Sequence, residues 1–203
     1  MVCRAYSSKS APSSIECKPN QPVFYADVPE FLFFSRTTLF QGLLAALNIH
    51  HLDVNNVCSF RQFCNERSLK SHTHSAVEES LVENEIGGVI LGSLSAGIKQ
   101  RPLNREEYLE EKRSNIPNKL ERDRKTRHEV FTEFEKYQNW KLSHKSHDID
   151  DTVLMILQSS SLAQIFDATY VDEVQDFSYA SLLLICKIGG AHGLKWIFAG
   201  DTG

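Results

Sequence analysis

The chain has 203 residues, 41% hydrophobic and 24% charged, a balance that excludes a wholly disordered polypeptide and allows one or two domains with a sizeable core. Its net charge of −4 and pI near 6.1 argue against nucleic-acid binding through bulk positive charge and leave only a local groove for that role. No apolar run reaches membrane-spanning length and the amino terminus lacks a signal-peptide core, so the expectation is an intracellular protein, nuclear or cytoplasmic rather than secreted.

Residues 1–22 are rich in serine and proline and read as a loop-rich start. Pro22 to Tyr25 is a short strand candidate, and Phe31 to Phe34 is too apolar to be exposed. From Thr37 to Leu47, Leu39, Leu43, Leu44 and Leu47 share one helical face. Phe60 to Cys64 and Val77 to Leu94 continue in helical periods, with Ser75 and Glu78 spaced as a capping box.

The five cysteines, Cys3, Cys17, Cys58, Cys64 and Cys186, are odd in number and irregularly spaced, which fits reduced thiols. Cys186 lies in an apolar run and reads as core. Cys58, Cys64, His72 and His74 lack the paired short loops of common zinc modules, and scattered surface residues explain them better.

Gly92 to Lys99 comes close to a phosphate loop. That motif needs Gly-Lys-Ser/Thr after four variable residues, so that lysine and hydroxyl leave the first helical turn together. Here Ile98 separates Gly97 from Lys99, and Gln100 replaces the hydroxyl. One inserted residue turns the lysine about 100° away from the phosphates. The segment reads instead as a helix end and a flexible joint.

Asn104 with Glu107, and Asn118 with Glu121, have capping-box spacing, the second before a long helix to about His144. Val130, Phe131, Phe134, Tyr137 and Trp140 stripe that helix as a core face. Arg122, Arg124, Lys125 and Arg127 beside the aromatics could hold single-stranded nucleic acid, but interleaved Glu121, Asp123, Glu129, Glu133 and Glu135 favour a solvated charged face. Asp148 to Thr152 spells the Asp-x-Asp-x-Thr of a phosphoaspartate phosphatase. The polar residues before it are not a buried strand, so Asp150 or Asp151 reads as N-cap of a helix from Thr152 to Leu157. His147 and His192 are general bases on paper only, with no partner legible in sequence.

The strongest pattern comes last. Ala168 to Val171 has the composition of a buried strand, and Asp172-Glu173-Val174-Gln175-Asp176 follows at its end. Ser178 to Ile188 is an apolar helix with Ser178 as N-cap and Gly189-Gly190 as its stop. Leu194 to Ala199 is a second strand ending in Gly200-Asp201-Thr202. The order is β, α, β, and in parallel sheets ligands sit at the carboxyl edge. A carboxylate such as Asp172 at that edge suits Mg²⁺ carried by a nucleotide, and Glu173 next to it can orient or deprotonate a water.

Asp172 to Asp176 with Gly200 to Thr202 resembles motifs II and III of the UvrD/Rep-like superfamily 1 helicases. Within that group the chain is similar to the eukaryotic UvrD-like proteins related to the tetratricopeptide and ankyrin repeat-containing protein. The resemblance implies an α/β fold: a partial RecA-like P-loop NTPase domain with a parallel sheet and a largely helical insertion. It implies ATP and Mg²⁺ as cofactors, with Asp172 holding the metal and Glu173 acting as catalytic base. Gln175 and Asp176 would link the nucleotide site to neighbouring motifs, and Gly200, Asp201 and Thr202 would couple it to a DNA or RNA groove.

The same resemblance divides the chain into residues 1–55 as the start of the first motor domain, 56–160 as the helical insertion, and 161–203 as the Walker B and motif III part. With no phosphate loop and no second motor domain in these residues, the expectation is a helicase fragment inactive alone. The competing expectation is a noncatalytic interaction module, or a nonfunctional truncation, that retains a partial motor fold. A sheet without its phosphate-loop strand is further expected to leave Tyr170, Val171 and Ile197 beside an open edge, with low solubility.

Overall fold

The computed structural model describes residues 2–5, 31–47, 56–70, 77–111, 124–160, 162, 165–189 and 196–200. The strand candidate at 22–25, the Asn118–Glu121 box, His72, His74, His192, Asp201 and Thr202 lie outside the described residues.

The fold is α/β, with helices predominating. Strands β1 (Val2–Ala5), β2 (Phe31–Phe33), β3 (Phe166–Val171) and β4 (Trp196–Phe198) form a sheet in the order β2-β1-β3-β4. β3 and β4 are parallel, with Thr169, Tyr170 and Val171 opposite Trp196, Ile197 and Phe198. β1 runs antiparallel to both of its neighbours. The sheet is therefore mixed rather than parallel, and β3 is paired on both sides. Tyr170 does not border an open edge as expected, because Val2 pairs with it. The outermost strand of the parallel pair is β4, whose Ile197 is 62% exposed.

Helix α1 (Arg36–Ala46) starts at Ser35, whose hydroxyl accepts the Thr38 N–H at 3.1 Å. Its buried Leu39, Phe40, Leu43 and Leu44 pack on α7 (Ile149–Gln158). α7 in turn packs on α8 (Tyr179–Ile188), whose N-cap is Ser178 and whose C-cap is Gly189, as the composition of that run demands. α7 does not begin at Asp150 or Asp151: Asp148 is its N-cap and closes a capping box with Asp151. That register is selected because it lets each carboxylate accept the other residue's backbone N–H, at 2.8 and 3.1 Å.

The middle of the chain is helical: α2 (Phe60–Lys70), α3 (Glu79–Glu85), α4 (Leu94–Lys99), α5 (Arg105–Glu110) and α6 (Arg124–His144). The Asn104–Glu107 capping box is present at the start of α5. Ser75 of the other expected box lies outside the described residues; Glu78 is the N-cap of α3 and caps with no side-chain bond. The stripe on α6 is core: Val130, Phe131, Phe134 and Tyr137 are buried, and Trp140 packs against them. Phe60, Phe63 and Tyr137 meet with ring centroids 5.4 to 5.6 Å apart.

The charged face of α6 is not wholly solvated. Arg127 is buried against α5, where it donates to the carbonyls of Tyr108 and Leu109 and lies over the Tyr108 ring. It thus satisfies backbone acceptors at the end of a short helix, which carry no partner of their own. Glu133 is buried too, held by Arg67 and Lys136. Cys58 and Cys64 are core residues rather than surface thiols, and burial pushes Cys64 up to about 11. Cys186 is half-buried.

The stretch from Val77 to Leu94 is not one helix. After α3 the chain widens into a π-helical turn over Ile86–Ile90, with Leu91 N–H donating to the Ile86 carbonyl, and then breaks before α4. The break is packed rather than flexible. The Gly92 carbonyl accepts the Ala180 N–H from the first turn of α8 at 2.9 Å. A Cβ on Gly92 would lie 1.9 Å from the Gly87 carbonyl oxygen and 2.6 Å from Ser178 Cβ. Gly97 likewise lets α4 approach α8, since a Cβ there would meet Ala180 Cα at 3.1 Å.

One buried cluster runs from Leu39 to Ile188, so the helical stretch and the strand–helix–strand unit share a core. Among the described residues no helix is long and apolar enough to cross a membrane. Gly92→Ala is expected to lower the unfolding free energy by about 3 kcal/mol or more, because carbonyl and Cβ must both shift; urea denaturation of the variant against the native chain measures it.

Candidate functional site

β3 ends at buried Val171, and the next two residues, Asp172 and Glu173, turn out to the surface. What holds the turn is main chain. Ala199 N–H donates to the Val171 carbonyl at 2.8 Å, and Val174 N–H donates to the Ala199 carbonyl at 2.9 Å, so the end of β4 clasps both sides of the acidic pair. Asp172 Oδ1 accepts the Glu173 N–H at 3.1 Å, and Gln175 Nε2 donates to Glu173 Oε2 at 2.5 Å. Val174 to Asp176 form one turn of 3₁₀ helix before Ser178 caps α8.

Glu173 adopts a left-handed backbone, φ 50° and ψ 49°. A residue with a Cβ is strained there, by about 1–2 kcal/mol. The conformation points the chain back toward β4 within one residue. Gly200 answers that turn: a Cβ on it would lie 2.3 Å from Gln175 Oε1 and 3.0 Å from Val174 Cγ1. Gly200 and Gln175 are thus in contact, as motifs at the ends of adjacent parallel strands must be to act together.

A cavity of about 320 Å³ opens beside the turn, lined by Asp172, Glu173, Asp176 and Phe177 on one wall and by Phe34, Ser35 and Arg36 on the other. The structure therefore brings Asp172, Glu173 and Asp176 to one space, with Gln175 and Gly200 behind them. Phe34, Ser35, Arg36 and Phe177 were missed from sequence. The available signal was the apolar run Phe31 to Phe34 followed by a serine cap and a basic residue, a strand-to-helix junction of the same kind as the one at Asp172. Arg36 Nη1 donates to the Asp176 carbonyl at 3.1 Å, and the guanidinium lies 5.9 Å from the Phe177 ring centroid.

Three decoys resolve. Lys99 lies at the end of α4 and pairs with Glu107 at 2.8 Å, so Gly92 to Lys99 is no phosphate loop. Asp148 to Thr152 caps a helix, as above. His147 is buried and lines a different cavity of about 240 Å³ with Lys141 and Asp151.

Behind the site is a cluster of acids. Lys141 Nζ donates to Asp148 at 2.8 Å and to Asp151 at 2.5 Å. Burial opposes its charge, but the two carboxylates outweigh it and hold its pKa above the ordinary lysine value. Burial and the Asp148 charge push Asp151 up to about 6 against the pull of Lys141. Asp150 has no lysine. Ser178 Oγ donates to it at 3.4 Å, and burial with the Asp148 and Asp151 charges pushes it up to about 7, opposed by Arg36.

Mg²⁺ is the metal that the acidic pair suggests. Among the described residues no three His, Cys, Asp or Glu form a metal cage. Mg²⁺ does not require one, since it keeps waters and takes one or two carboxylates plus phosphate oxygens. The hard oxygen donors of Asp172 and its neighbours on an open cavity fit that habit. No family model, curated protein or solved structure matches the chain.

Two outcomes follow for stability. Because the folded state holds the Asp150 proton up to about pH 7 while an unfolded aspartate loses it near pH 4, native stability falls as pH rises through that window. Asp150→Asn should flatten the upper part of the decline and raise Tm at pH 8 relative to the native chain, leaving pH 4 unchanged, as read by thermal melts. Glu173→Gly should raise the unfolding free energy by about 1 kcal/mol in urea titrations, since glycine adopts the left-handed backbone without strain.

Proposed function

We propose that the chain is part of the first motor domain of a UvrD-like ATP-dependent helicase, a RecA-like nucleotide-binding unit with a helical insertion. In the whole intracellular protein it would use ATP to translocate on, or unwind, DNA or RNA. The observation that carries this reading is the meeting of Asp172, Glu173, Asp176, Gln175 and Gly200 at the carboxyl edge of a parallel strand pair, beside a cavity of about 320 Å³. Such an edge is where α/β sheets take ligands, and carboxylates there suit a metal-bound triphosphate.

In this reading each residue has a separate task. Asp172 offers its carboxylate oxygens to the metal, with one of them steadied by the Glu173 N–H. Glu173 takes the proton of an attacking water, and Gln175 holds its carboxylate in position through the Nε2–Oε2 hydrogen bond. Gln175 also rests on Gly200, which leaves a route from the site to the end of β4, where Asp201 and Thr202 follow. Mg²⁺, when bound, neutralises the phosphate charge and polarises the γ-phosphoryl group.

A second reading is supported by the position of Lys99: with that lysine paired to Glu107, none of the described residues lining the cavity is a lysine. The unit would then be a noncatalytic interaction module that keeps the motor fold. Titration of a fluorescent ATP analogue with Mg²⁺ separates the two. The motor reading expects saturable binding, weakened about tenfold or more by Asp172→Ala. Glu173→Gln should keep binding and abolish any phosphate release. Absence of binding up to millimolar nucleotide would sink the motor reading and leave the module.

A further inference from the structure

The cavity poses an electrostatic problem that its acids cannot solve. Three carboxylates, those of Asp172, Glu173 and Asp176, line a space proposed to hold a polyphosphate, and like charges repel. A divalent cation at Asp172 offsets two charges on that wall. The phosphates then need a cation on the opposite wall, and Arg36 is the cationic side chain among the described residues that line the cavity.

Its placement fits that task. Arg36 is the first residue of α1, is partly buried, and lines the cavity beside the acidic turn. Of five N–H donors, the guanidinium commits one, at Nη1, to the Asp176 carbonyl, and its carbon lies near the Phe177 ring. That contact fixes the fork beside the acids without using it up. The first turn of α1 contains no acid; from α7, buried Asp150 faces the guanidinium electrostatically but takes a hydrogen bond from Ser178. A planar fork held in place is well suited to phosphate oxygens, which it binds in pairs.

We propose that Arg36 is the polyphosphate-binding residue of this site, acting across the cavity from the metal-binding acid Asp172. The inference rests on the nucleotide reading above. It assigns Arg36 two contacts: the Asp176 carbonyl, which holds the acidic turn in place, and the phosphate chain of the bound nucleoside triphosphate.

The test uses the full chain and calorimetric titration with Mg²⁺–ATP and with Mg²⁺–tripolyphosphate, alongside Mn²⁺ binding followed by electron paramagnetic resonance. Arg36→Gln can still donate to the Asp176 carbonyl but carries no charge. It is expected to weaken both polyphosphate ligands by about 10- to 100-fold, as loss of a charged hydrogen bond does, while Mn²⁺ affinity stays within about twofold. Arg36→Lys, which restores charge without the fork, should recover part of the loss. Raised salt should weaken the native chain more than Arg36→Gln.

If the native chain binds Mg²⁺–ATP in an Asp172-dependent way and Arg36→Gln binds it equally well, Arg36 is only a clamp on the turn and the proposal falls alone. If the native chain binds Mn²⁺ but neither polyphosphate, the nucleotide reading falls and the proposal with it. Equal losses for ATP and tripolyphosphate support a contact to the phosphates. A loss confined to ATP would place Arg36 on the nucleoside and overturn the proposal.

Discussion

The parallel pairing of β3 with β4 is the constraint on which the rest of the structure depends. Its hydrogen bonds do more than join two strands. Ala199 bonds Val171 before the acidic pair and Val174 after it, so Asp172 and Glu173 are squeezed out of the ladder as a surface turn. Glu173 then takes a left-handed backbone that a non-glycine residue avoids when free, and Gly200 has to lack a side chain so that Gln175 can lie over it. Strain and close approach concentrated at one turn are the marks of a site whose geometry is over-determined by its surroundings.

Support for that turn comes from four packed helices. α8 joins β3 to β4 and is covered by α7 and α4, and α7 carries α1. α4 can approach α8 because Gly97 has no side chain, and the break before α4 is locked by the Gly92 carbonyl bonded to the first turn of α8. Ser178, at the start of that helix, also donates to Asp150. Packing, capping and a buried acid therefore meet within a few residues of the candidate site. Any change in the helical stretch that moves Gly92 or Asp150 acts on the same helix start that follows the acidic turn.

Charge is distributed unevenly through this arrangement. Lys141 is enclosed by Asp148 and Asp151, a pairing that satisfies all three and ties the end of α6 to the start of α7. Removing one partner from such a buried group costs far more than the pair contributes, since a charge is then left without compensation. Asp150, next to Asp151 in the chain, is pushed up to about 7 by burial and by the Asp148 charge. Arg36 lines the cavity and also opposes the rise of the Asp150 pKa, so its charge acts on both.

Sequence by itself determined the local grammar of the protein. The Ser178 cap, the Gly189 stop, the Asn104–Glu107 box, the apolar stripe of α6 and the strand–helix–strand order all follow from short-range rules of capping and periodicity, which operate within a turn or two. The acidic turn at the end of β3 was legible for the same reason. Tertiary structure decided what depends on partners distant in the chain. It set β1 antiparallel beside β3, buried Arg127 and Glu133 on a face that reads as solvated, and chose Asp148 over its neighbours as the cap. It also brought Arg36 to Asp176, 140 residues away, because hydrogen bonds and charge act through space while pattern records only spacing along the chain.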